Sequence, residues 1–372
     1  MTRVLVLSAS YGSGHNMAAQ SVARAFEAAG AQPIVVDHFR ELVSPTFERM
    51  SRALYHRVLR SVPRAWGVAY AVGDAMTTDS PLAFGVPRLG ARRLAGLLAR
   101  LSPDLVVTVH ATPAVAMSAL ADRGVRVPPH VTVVTDFVAH SQWIARGVDR
   151  YCVAADEVKH EFIARGIAPD RIVVTGVPVR PEFALTVDAA AARAEFGLAA
   201  DLPVVLAMAG AQGSFGRLPV VARALMATRG PAQAVIVAGR DADLQAKLAR
   251  LTRSSTVRAL GYVPSMHRLM AAADVLVTKA GGMTIAEAMA AELPLITYAS
   301  LPGQERRNER FASRAGIALV ARSRRDLSRA LERALGDPGL LERLRAQMRN
   351  LRRPDASHRV AAAALGLARI PR

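Results

Sequence analysis

Short apolar runs rich in β-branched residues alternate along the chain with longer stretches in which apolar positions recur at helical spacing. In the first half, these runs read as strands at 4–8, 33–37, 104–109, 131–135, 151–154 and 171–176. In the second half, they read as strands at 204–210, 234–239, 257–262, 275–278, 295–298 and 318–321. Continuous apolar strands with helices between them are typical of parallel sheets that are covered on both faces. The pattern therefore predicts an α/β fold with two parallel sheets.

The stretch VPVRPEFAL (177–185) carries two prolines after a predicted strand and reads as a linker. It divides the chain into an N-terminal Rossmann-like domain, 1–180, and a C-terminal one, 181–355. We expect the Ala-rich tail, 356–372, to form a helix that packs back on the first domain. Ligands of such folds bind beyond the carboxyl ends of the strands, so the polar residues there are the candidate site.

Composition narrows the class of protein and the class of partner. Hydrophobic residues make up 51% of the 372 residues, enough for a sizeable core, and the formal net charge is +18. This charge predicts an anionic partner, which is nucleic acid, anionic lipid or a phosphorylated substrate. Cys152 is the one cysteine, so no internal disulfide can form, and no apolar stretch has the length of a transmembrane helix. We expect a cytoplasmic protein.

A glycine turn that ends in a histidine, YGSGH, follows the first predicted strand. Gly12 and Gly14 would permit close approach of the backbone to a ligand at the N-terminus of the next helix. The segment lacks the Lys-Ser/Thr pair of a P-loop and the third glycine of the dinucleotide fingerprint. His15 would stay neutral near the positive end of the helix dipole and could accept a proton near pH 7. The alternative is a histidine that caps or packs the helix.

Two glycine-containing turns follow predicted strands of the second half. AGAQGS (209–214) contains Gly210 and Ser214, and its backbone N–H groups could hold a phosphate. TKAGGMTIAEA (278–288) contains the pair Gly281 and Gly282 immediately before a predicted helix. Both turns are weak evidence when taken singly, because a glycine turn also serves purely structural purposes.

Polar residues beside the second turn allow two interpretations. The helix is predicted to begin near Thr284, and Glu287 follows three residues later, so the two would form a capping box. The functional interpretation is that Glu287 accepts both hydroxyls of a ribose. Gln304 and Glu305 lie in a predicted loop after the next strand, where they are either an ordinary polar loop or a site for sugar hydroxyls.

Taken in order, the motifs resemble those of the monogalactosyldiacylglycerol synthase and processive diacylglycerol glucosyltransferase family, which is distantly similar to the peptidoglycan N-acetylglucosaminyl transferase. The resemblance covers roughly residues 2–350. The matching pieces are YGSGH, TDF with a tryptophan seven residues after its aspartate, DRYCVAADEVKHEFIARGI, TGVPVRPEF, MAGAQGS, LGYV, TKAGGMTIAEA and PGQERRNERF.

The resemblance implies a glycosyltransferase B fold, with two Rossmann-like domains that face each other across a cleft. The C-terminal domain would bind a UDP-hexose, and the N-terminal domain would bind diacylglycerol. Transfer of the hexose to the lipid hydroxyl would invert the anomeric carbon and would need no metal and no other cofactor.

Carried onto this sequence, the resemblance implies a donor site in the C-terminal domain. Glu287 would bind the ribose hydroxyls, and backbone groups at Val263 would meet the uracil edge. Gln304 and Glu305 would hold the sugar hydroxyls. The residues that would approach the diphosphate are Gly210, Ser214, Gly281, Gly282 and Thr284.

On the acceptor side, the resemblance places His15 near the sugar phosphate and the acceptor hydroxyl. Plant members of the family carry an acidic residue at the position of Ser10, and a serine cannot act as a base without help. We therefore assign removal of the acceptor proton to His15, with Asp136 as the alternative base or as an orienting partner. Lys279 and Arg240 are candidate cations for the leaving UDP, and the alternative is that each is a solvated or structural charge.

The segment FERMSRALYHRVLRSVPRAW (47–66) has apolar residues at helical spacing and arginines on its other faces, which is the pattern of an interfacial membrane helix. Each basic residue near an anionic surface adds roughly 1 kcal/mol of binding free energy. The acceptor and membrane residues are then Gly12, Gly14, Arg52, Arg57, Arg60, Trp66, Phe137 and Trp143. The protein would be peripheral on the inner face of the cell membrane, bound to anionic lipids. The alternative is a core helix with an arginine-rich solvent face.

Other functions fit the same residues less fully. A related enzyme could use another lipid-linked acceptor, or could be a nucleotide-sugar epimerase, which would need no lipid. The remote alternative is a basic nucleic-acid-binding protein without catalysis. No helix-turn-helix or RNA-binding signature appears, and aromatic residues make up only 5% of the chain, so we expect no nucleic-acid partner. The sequence leaves open the hexose, repeated transfer and the oligomeric state.

Overall fold

The structure is a computed structural model that describes residues 1–10, 13–61, 67–68, 71–74, 89–208, 217–228, 230–253 and 256–368. The side chains at positions 13, 55, 56 and 58–61 are outside the described part. The chain divides into two compact units. The N-terminal unit comprises Met1–Pro181 and Arg353–Arg372, and the C-terminal unit comprises Glu182–Arg352.

The N-terminal unit is built on one six-stranded sheet. Its strands are β1 (Arg3–Ser8), β2 (Gln32–Asp37), β3 (Leu105–Thr108), β4 (His130–Val133), β5 (Arg150–Val153) and β6 (Ile172–Val174). They lie in the order β2-β1-β3-β4-β5-β6, and every neighbouring pair is parallel.

The α-helices described between these strands are α1 (Ser13–Ala28), α2 (Pro45–Ser61), α3 (Ala91–Leu101), α4 (Ala111–Ala121) and α5 (Asp156–Ala164). A π-helix, His38–Val43, directly follows β2, and its N-cap is Asp37. The helix predicted over 47–66 is α2, which begins two residues earlier at Pro45 and is described as far as Ser61.

The C-terminal unit repeats the architecture. Its strands are β7 (Val204–Met208), β8 (Gln233–Val237), β9 (Val257–Leu260), β10 (Val275–Thr278), β11 (Leu295–Tyr298) and β12 (Ala318–Ala321). They lie in the order β12-β11-β10-β7-β8-β9, again parallel throughout. The helices described in this unit are α6 (Ala189–Glu195), α7 (Leu218–Met226), α8 (Ala242–Leu251), α9 (Met266–Ala272), α10 (Gly282–Ala290), α11 (Gln304–Arg314), α12 (Arg324–Gly336) and α13 (Pro338–Leu351).

The apolar runs form strands because both faces of each sheet are covered by helices. Every residue of β3, β7, β10 and β11 is buried, and β1 is buried from Val4 onward. A strand that is buried on both faces needs apolar residues at consecutive positions rather than at alternate ones. All the strands expected from the sequence are present, and the α/β prediction with two parallel sheets is confirmed.

The tail forms α14 (Ala356–Ala368), which packs against α1, β3 and β5 of the N-terminal unit. The Arg150 guanidinium donates a hydrogen bond to the carbonyl oxygen of Ala363 at 2.7 Å. Gly176 has φ +85°, and a Cβ atom there would lie 2.6 Å from the Cβ of Arg353. Glycine is therefore required where the chain leaves β6 beneath the start of the tail.

The strand order of each sheet reverses once. In the N-terminal unit, the chain goes from β1 to β2 on one side and then places β3 on the other side of β1. In the C-terminal unit, it adds β8 and β9 on one side of β7 and then places β10 on the other. Ligands of open parallel sheets bind at the carboxyl edge where the order reverses. The loops after β1, β3, β7 and β10 are thus the expected sites, although the loop after β7 lies outside the described residues.

Candidate functional site

The β1–β3 switch point of the N-terminal unit brings two histidines together. His15 lies in the first turn of α1, and His110 follows β3 and caps α4. Their ring centroids are 4.7 Å apart, with the rings edge to face at 83°. The ring of Trp143 lies 6.4 Å from that of His15 and 6.3 Å from that of His110. The predicted base and one predicted acceptor residue therefore belong to a single cluster.

The hydrogen bonds of His15 determine which ring nitrogen can act as a base. Its Nδ1 lies 2.9 Å from the carbonyl oxygen of Val109 and 3.2 Å from Oγ1 of Thr135. A carbonyl oxygen can only accept, so Nδ1 carries the hydrogen and donates it. The lone pair is then on Nε2, and this nitrogen is the one that can take a proton from a substrate.

Burial lowers the pKa of His15 below its ordinary value of 6.5, and the charge of Asp136 and the Val109 carbonyl oppose this shift. The imidazole is therefore neutral at pH 7. Asp136 favours the imidazolium that forms once the ring has accepted a proton. The arrangement suits a general base that needs a stabilised charged form only during the reaction.

Sequence reasoning misses His110. Its Nδ1 accepts a hydrogen bond from the backbone N–H of Thr112 at 3.1 Å, which leaves the ring hydrogen on Nε2. Burial, together with the like charges of His15 and His38, holds the pKa of His110 well below 6.5. The available signal in the sequence was its place directly after a predicted strand, on the edge where ligands bind.

The TDF segment after β4 lies inside the unit. Asp136 is 3% exposed, and its charge acts on His15. Phe137 and Trp143 are also buried, so neither aromatic ring is presented on the surface. Gly14 is half-buried in the first turn of α1. The roles of Gly14 and Phe137 toward an acceptor remain predictions.

A chain of four polar side chains lies beside the histidines, at the ends of β1 and β2. Ser10 Oγ donates to Oδ2 of Asp37 and accepts from Nδ2 of Asn16 at 3.3 Å. Ser8 Oγ donates to Oδ1 of Asn16. The other oxygen of Asp37 accepts from the backbone N–H of Arg40 at 3.0 Å. Ser10 thus has a carboxylate as its partner, supplied by a different strand.

The basic helix α2 carries an exposed apolar surface. Met50 is 69% exposed and Leu54 is 62% exposed, one helical turn apart. Arg57 is exposed as well, whereas Arg52 forms an ion pair of 2.9 Å with Glu48. Within the described residues, no helix is both long and apolar enough to cross a bilayer.

In the C-terminal unit, the glycine turn after β10 leads directly into α10. The helix begins at Gly282, and its N-cap Gly281 makes no side-chain capping hydrogen bond. The predicted capping box of Thr284 and Glu287 is therefore wrong. The extended backbone of Gly281 starts the helix two residues earlier, so Thr284 lies in the third helical position and Glu287 within the second turn.

Among the described residues, nothing in the packing of the chain requires a glycine at position 281. Its backbone has φ −75° and ψ 137°, which any residue can adopt. A Cβ atom there would lie 3.9 Å from Oγ1 of Thr284, an ordinary contact. A small residue at the N-terminus of α10 therefore keeps space in front of the backbone N–H groups of the first turn, which have no partner within the helix. This is the arrangement that an anionic ligand uses.

Residues from two neighbouring strands meet at the same edge. Lys279 follows β10, and its Nζ lies 2.6 Å from Oε1 of Glu305, in the first turn of α11. Oε2 of the same carboxylate accepts from the backbone N–H of Leu301 at 2.9 Å. Gln304 is the first residue of α11 and is half-buried, and Glu287 is 4% exposed. The charge of Lys279 is thus balanced by Glu305.

The other predicted cation, Arg240, follows β8, next to the edge strand β9 of the same sheet. The guanidinium of Arg240 lies over the ring of Tyr262, 4.7 Å from its centroid. Tyr262 is half-exposed, and the half-buried Val263 follows it after β9. Arg240 and the segment predicted to meet the base therefore lie together at one end of the carboxyl edge.

Several predicted site residues fall outside the described part of the chain. These are Gly12, Trp66, Gly210 and Ser214, together with the side chain of Arg60.

The fold defines the class of protein. The structure is similar to that of MurG from Acinetobacter baumannii, with a TM-score of 0.64 and 16% identity over 98% of this chain and 100% of that one. It is also similar to that of the UDP-GlcNAc 2-epimerase of Neisseria meningitidis bound to UDP-GlcNAc, with a TM-score of 0.62 and 14% identity over 98% of this chain and 100% of that one. The fold is that of the glycosyltransferase B class, which an epimerase shares, so the fold alone does not choose the reaction.

Sequence comparison identifies the family. The model for monogalactosyldiacylglycerol (MGDG) synthase matches residues 15–179, and the model for the glycosyltransferase family 28 C-terminal domain matches residues 210–361. A processive diacylglycerol beta-glucosyltransferase from Bacillus mycoides is 31% identical over 357 residues, which is 95% of this chain and 90% of that protein. The chain belongs to this family of glycosyltransferases, and the resemblance seen in the motifs is confirmed.

Proposed function

We propose that the protein transfers a hexose from a UDP-sugar to the hydroxyl of diacylglycerol, with inversion and without a metal. The observation that carries the proposal is the state of His15. Its Nδ1 is held by the Val109 carbonyl oxygen, so the lone pair of Nε2 is available at the switch point of the N-terminal sheet. A neutral base at that point is what an attacking hydroxyl requires.

On the acceptor side, Nε2 of His15 takes the proton of the diacylglycerol hydroxyl as its oxygen bonds to the anomeric carbon. The bond between that carbon and the diphosphate oxygen breaks, and UDP leaves with the electron pair. Asp136 stabilises the imidazolium by its charge, which is supported by its effect on the pKa of His15. Asp136 remains the alternative base if His15 proves dispensable.

On the donor side, the diphosphate binds at the N-terminus of α10, beside Gly281 and Gly282, where the backbone N–H groups and the helix dipole stabilise the leaving UDP. Glu287 binds the ribose, and backbone groups at Val263 bind the uracil. Gln304 and Glu305 bind the hexose. The pairing of Lys279 with Glu305 supports a role for this lysine in orienting the carboxylate rather than in neutralising the diphosphate.

The lipid is reached through α2. Its exposed Met50 and Leu54 enter the interface between the headgroups and the acyl chains, and its arginines contact anionic lipids. The net charge of +18 supports this attraction. Under this proposal, the protein is peripheral on the cytoplasmic face of the cell membrane.

The proposal is tested by measuring UDP release by the purified protein with a panel of UDP-hexoses, with and without diacylglycerol in mixed micelles. Transfer requires that UDP release depend on diacylglycerol and saturate with it. Conversion of the UDP-sugar into an isomer without UDP release would indicate an epimerase. Activity only with a different lipid-linked hydroxyl would replace the acceptor and keep the reaction.

A further inference from the structure

The large apolar side chains that are exposed on the N-terminal unit come from one stretch of the chain. Apart from Met1, those found among the described residues are Met50, Leu54, Val68, Val72 and Leu89. Val68 is 65% exposed and Val72 is 47% exposed. The stretch includes α2, through which the lipid is reached in the proposed function. The contacts that attach this stretch to the unit therefore determine where the lipid lies relative to His15.

Asp74 attaches this stretch to the loop after β4. It lies in the helical segment 71–74, close to the exposed Val72. Oδ1 of Asp74 accepts a hydrogen bond from the backbone N–H of Ser141 at 2.9 Å, and Oγ of Ser141 donates to the carbonyl oxygen of Gly73 at 2.8 Å. The two bonds run in opposite directions between the same two segments of the chain. They therefore fix both the position and the orientation of the segment.

The carboxylate of Asp74 is also held by charge. The guanidinium of Arg165 lies 3.1 Å from Oδ1 and 3.3 Å from Oδ2. Nδ1 of His140 accepts from the backbone N–H of Gln142 at 3.1 Å, so the ring hydrogen is on Nε2, which lies 3.9 Å from Oδ1 of Asp74. The side chain of Asp74 is only 20% exposed, and a carboxylate at this depth needs such partners in place of water.

The loop that Asp74 contacts also carries Trp143 to the histidines. Ser141 begins the short 3₁₀-helix Ser141–Trp143. The indole of Trp143 is 5% exposed, and its ring lies 6.4 Å from that of His15 and 6.3 Å from that of His110. Ser141 and Trp143 thus belong to a single turn. Asp74 joins this turn to the segment that exposes Val72.

We propose that Asp74 is a positioning residue for the transfer, because it fixes the exposed apolar segment relative to the turn that holds Trp143 beside His15. This inference rests on the proposed function and names a residue that aligns the acceptor. Val72 contacts the acyl chains of the lipid while its hydroxyl reaches Nε2 of His15, and the contacts of Asp74 keep these two points at a constant separation. Without them, the hydroxyl is placed at the base less often, although α2 still binds the membrane.

The test compares three substitutions. Asp74→Ala removes all the contacts of the carboxylate. Asp74→Asn keeps an oxygen for the N–H of Ser141 and removes only the charge that faces Arg165. The control is Asp170→Ala, because Asp170 is exposed in the 3₁₀-helix that follows α5.

Four quantities are measured for each protein. They are kcat and KM for UDP release with diacylglycerol in mixed micelles, binding to anionic vesicles, the thermal midpoint and the fluorescence of Trp143. The chain has two tryptophans, so the fluorescence is recorded in a Trp66→Phe background, in which Trp143 is the single emitter.

In Asp74→Ala, we expect kcat to fall about tenfold or more while vesicle binding is unchanged, because misplacement of a reacting group lowers the rate without removing α2. The emission of Trp143 should move to longer wavelength as the loosened turn admits water to the indole. Asp74→Asn should show the same changes to a smaller extent at a thermal midpoint close to that of the wild-type protein, and Asp170→Ala should show none of them.

Unchanged kcat or unchanged emission in Asp74→Ala overturns the inference, as do equal changes in Asp170→Ala. A fall in kcat that is explained by weaker vesicle binding also overturns it, because Asp74 would then act on membrane binding alone. Absence of diacylglycerol-dependent UDP release in the wild-type protein would instead contradict the proposed function. The emission of Trp143 tests its attachment to Asp74 independently of that outcome.

Discussion

His15 combines burial with a neighbouring carboxylate, and the two act in opposite directions. Burial keeps the imidazole neutral at physiological pH, and Asp136 lowers the free energy of the protonated ring. The Val109 carbonyl holds the hydrogen on Nδ1. A base in this state is available before the reaction and its charged form is stabilised during it, which is what general-base catalysis requires.

Replacement of His15 by alanine removes the group that takes the acceptor proton. We expect kcat to fall by about 10²–10⁴-fold, while the affinity for UDP stays close to that of the wild-type protein. Steady-state kinetics and calorimetric titration with UDP measure the two quantities. The matched control is His160→Ala, because His160 is exposed on α5. Equal activity of the two variants would remove His15 from the mechanism.

The pH dependence of the reaction follows from the interaction of His15 with Asp136. The pKa of His15 lies below 6.5, so transfer should be insensitive to pH near neutrality and should fall as the ring becomes protonated in acid. Asp136→Asn removes a charge that raises this pKa, and the acid limb of kcat/KM should therefore move to lower pH. An acid limb that stays in place, or that moves to higher pH, would show that Asp136 does not act on His15.

The residues of the site were predictable only in part. His15 could be found because glycines and a histidine follow an apolar strand directly. The contact of Ser10 with Asp37 joins residues 27 positions apart, and that of Lys279 with Glu305 joins residues 26 apart. Such contacts depend on which strands are neighbours, and an apolar run does not specify its neighbour. The capping box predicted for Thr284 and Glu287 is absent because Gly281 already has the extended backbone that starts the helix.

At the scale of elements, the glycine before α10 differs from the glycine after β6 in its backbone conformation and in the space around it. Gly281 has an ordinary φ and space for a Cβ atom, whereas Gly176 has a positive φ and no such space. The second glycine is explained by the fold of the chain itself, and the proposed diphosphate would explain the first. This contrast makes the two positions a matched pair.

Gly281→Ala should leave the thermal midpoint close to that of the wild-type protein and should weaken UDP binding, because the new methyl group faces the proposed diphosphate. Gly176→Ala should lower the midpoint, because its Cβ would lie 2.6 Å from that of Arg353. Differential scanning calorimetry and UDP titration measure both effects. If Gly281→Ala binds UDP as the wild-type protein does, the diphosphate site lies elsewhere.

A buried histidine in a central strand of the N-terminal sheet is expected to make the free energy of unfolding depend on pH. His130, in β4, is buried, and its Nε2 lies 3.1 Å from Oγ1 of Thr108 in β3. Burial lowers the pKa of His130 to about 4, against the partial opposition of Asp149. The unfolded chain therefore binds more protons than the folded one between about pH 6.5 and 4.

Above pH 6.5, His130 does not reduce the free energy of unfolding. As the pH falls toward 4, the preferential protonation of the unfolded chain lowers this free energy by up to about 3 kcal/mol. His130→Gln should flatten this part of the dependence of the free energy of unfolding on pH. Urea unfolding at a series of pH values measures it. A variant with the same acid slope as the wild-type protein would show that other groups cause the slope.

The exposed surface of α2 gives a further prediction at this scale. Met50→Ser combined with Leu54→Ser should weaken binding to anionic vesicles about tenfold or more, because two apolar side chains no longer enter the interface. Arg57→Ser should in addition reduce the dependence of binding on salt. Vesicle sedimentation measures both, with Arg333→Ser on α12 as the control for an exposed arginine outside α2. Unchanged binding in all variants would place the membrane contact elsewhere.

At the scale of the whole molecule, two units of one architecture carry different chemistry. The N-terminal unit has two half-buried histidines and a polar chain at its switch point, and the C-terminal unit has a glycine turn and a helix N-terminus at its own. The net charge of +18 favours anionic partners for the chain as a whole. Fold class and family were predictable at this scale, because the alternation of strands with helices and the order of the motifs can both be read along the chain.

The most direct measurement is the mass of the lipid that the purified protein forms from a UDP-hexose and diacylglycerol. The account predicts products that are heavier than diacylglycerol by one or more whole hexose residues, with one UDP released for each residue added. It also predicts that His15→Ala forms little of these products under the same conditions. Release of free hexose, or of an isomeric UDP-sugar, with diacylglycerol recovered unchanged would contradict the account.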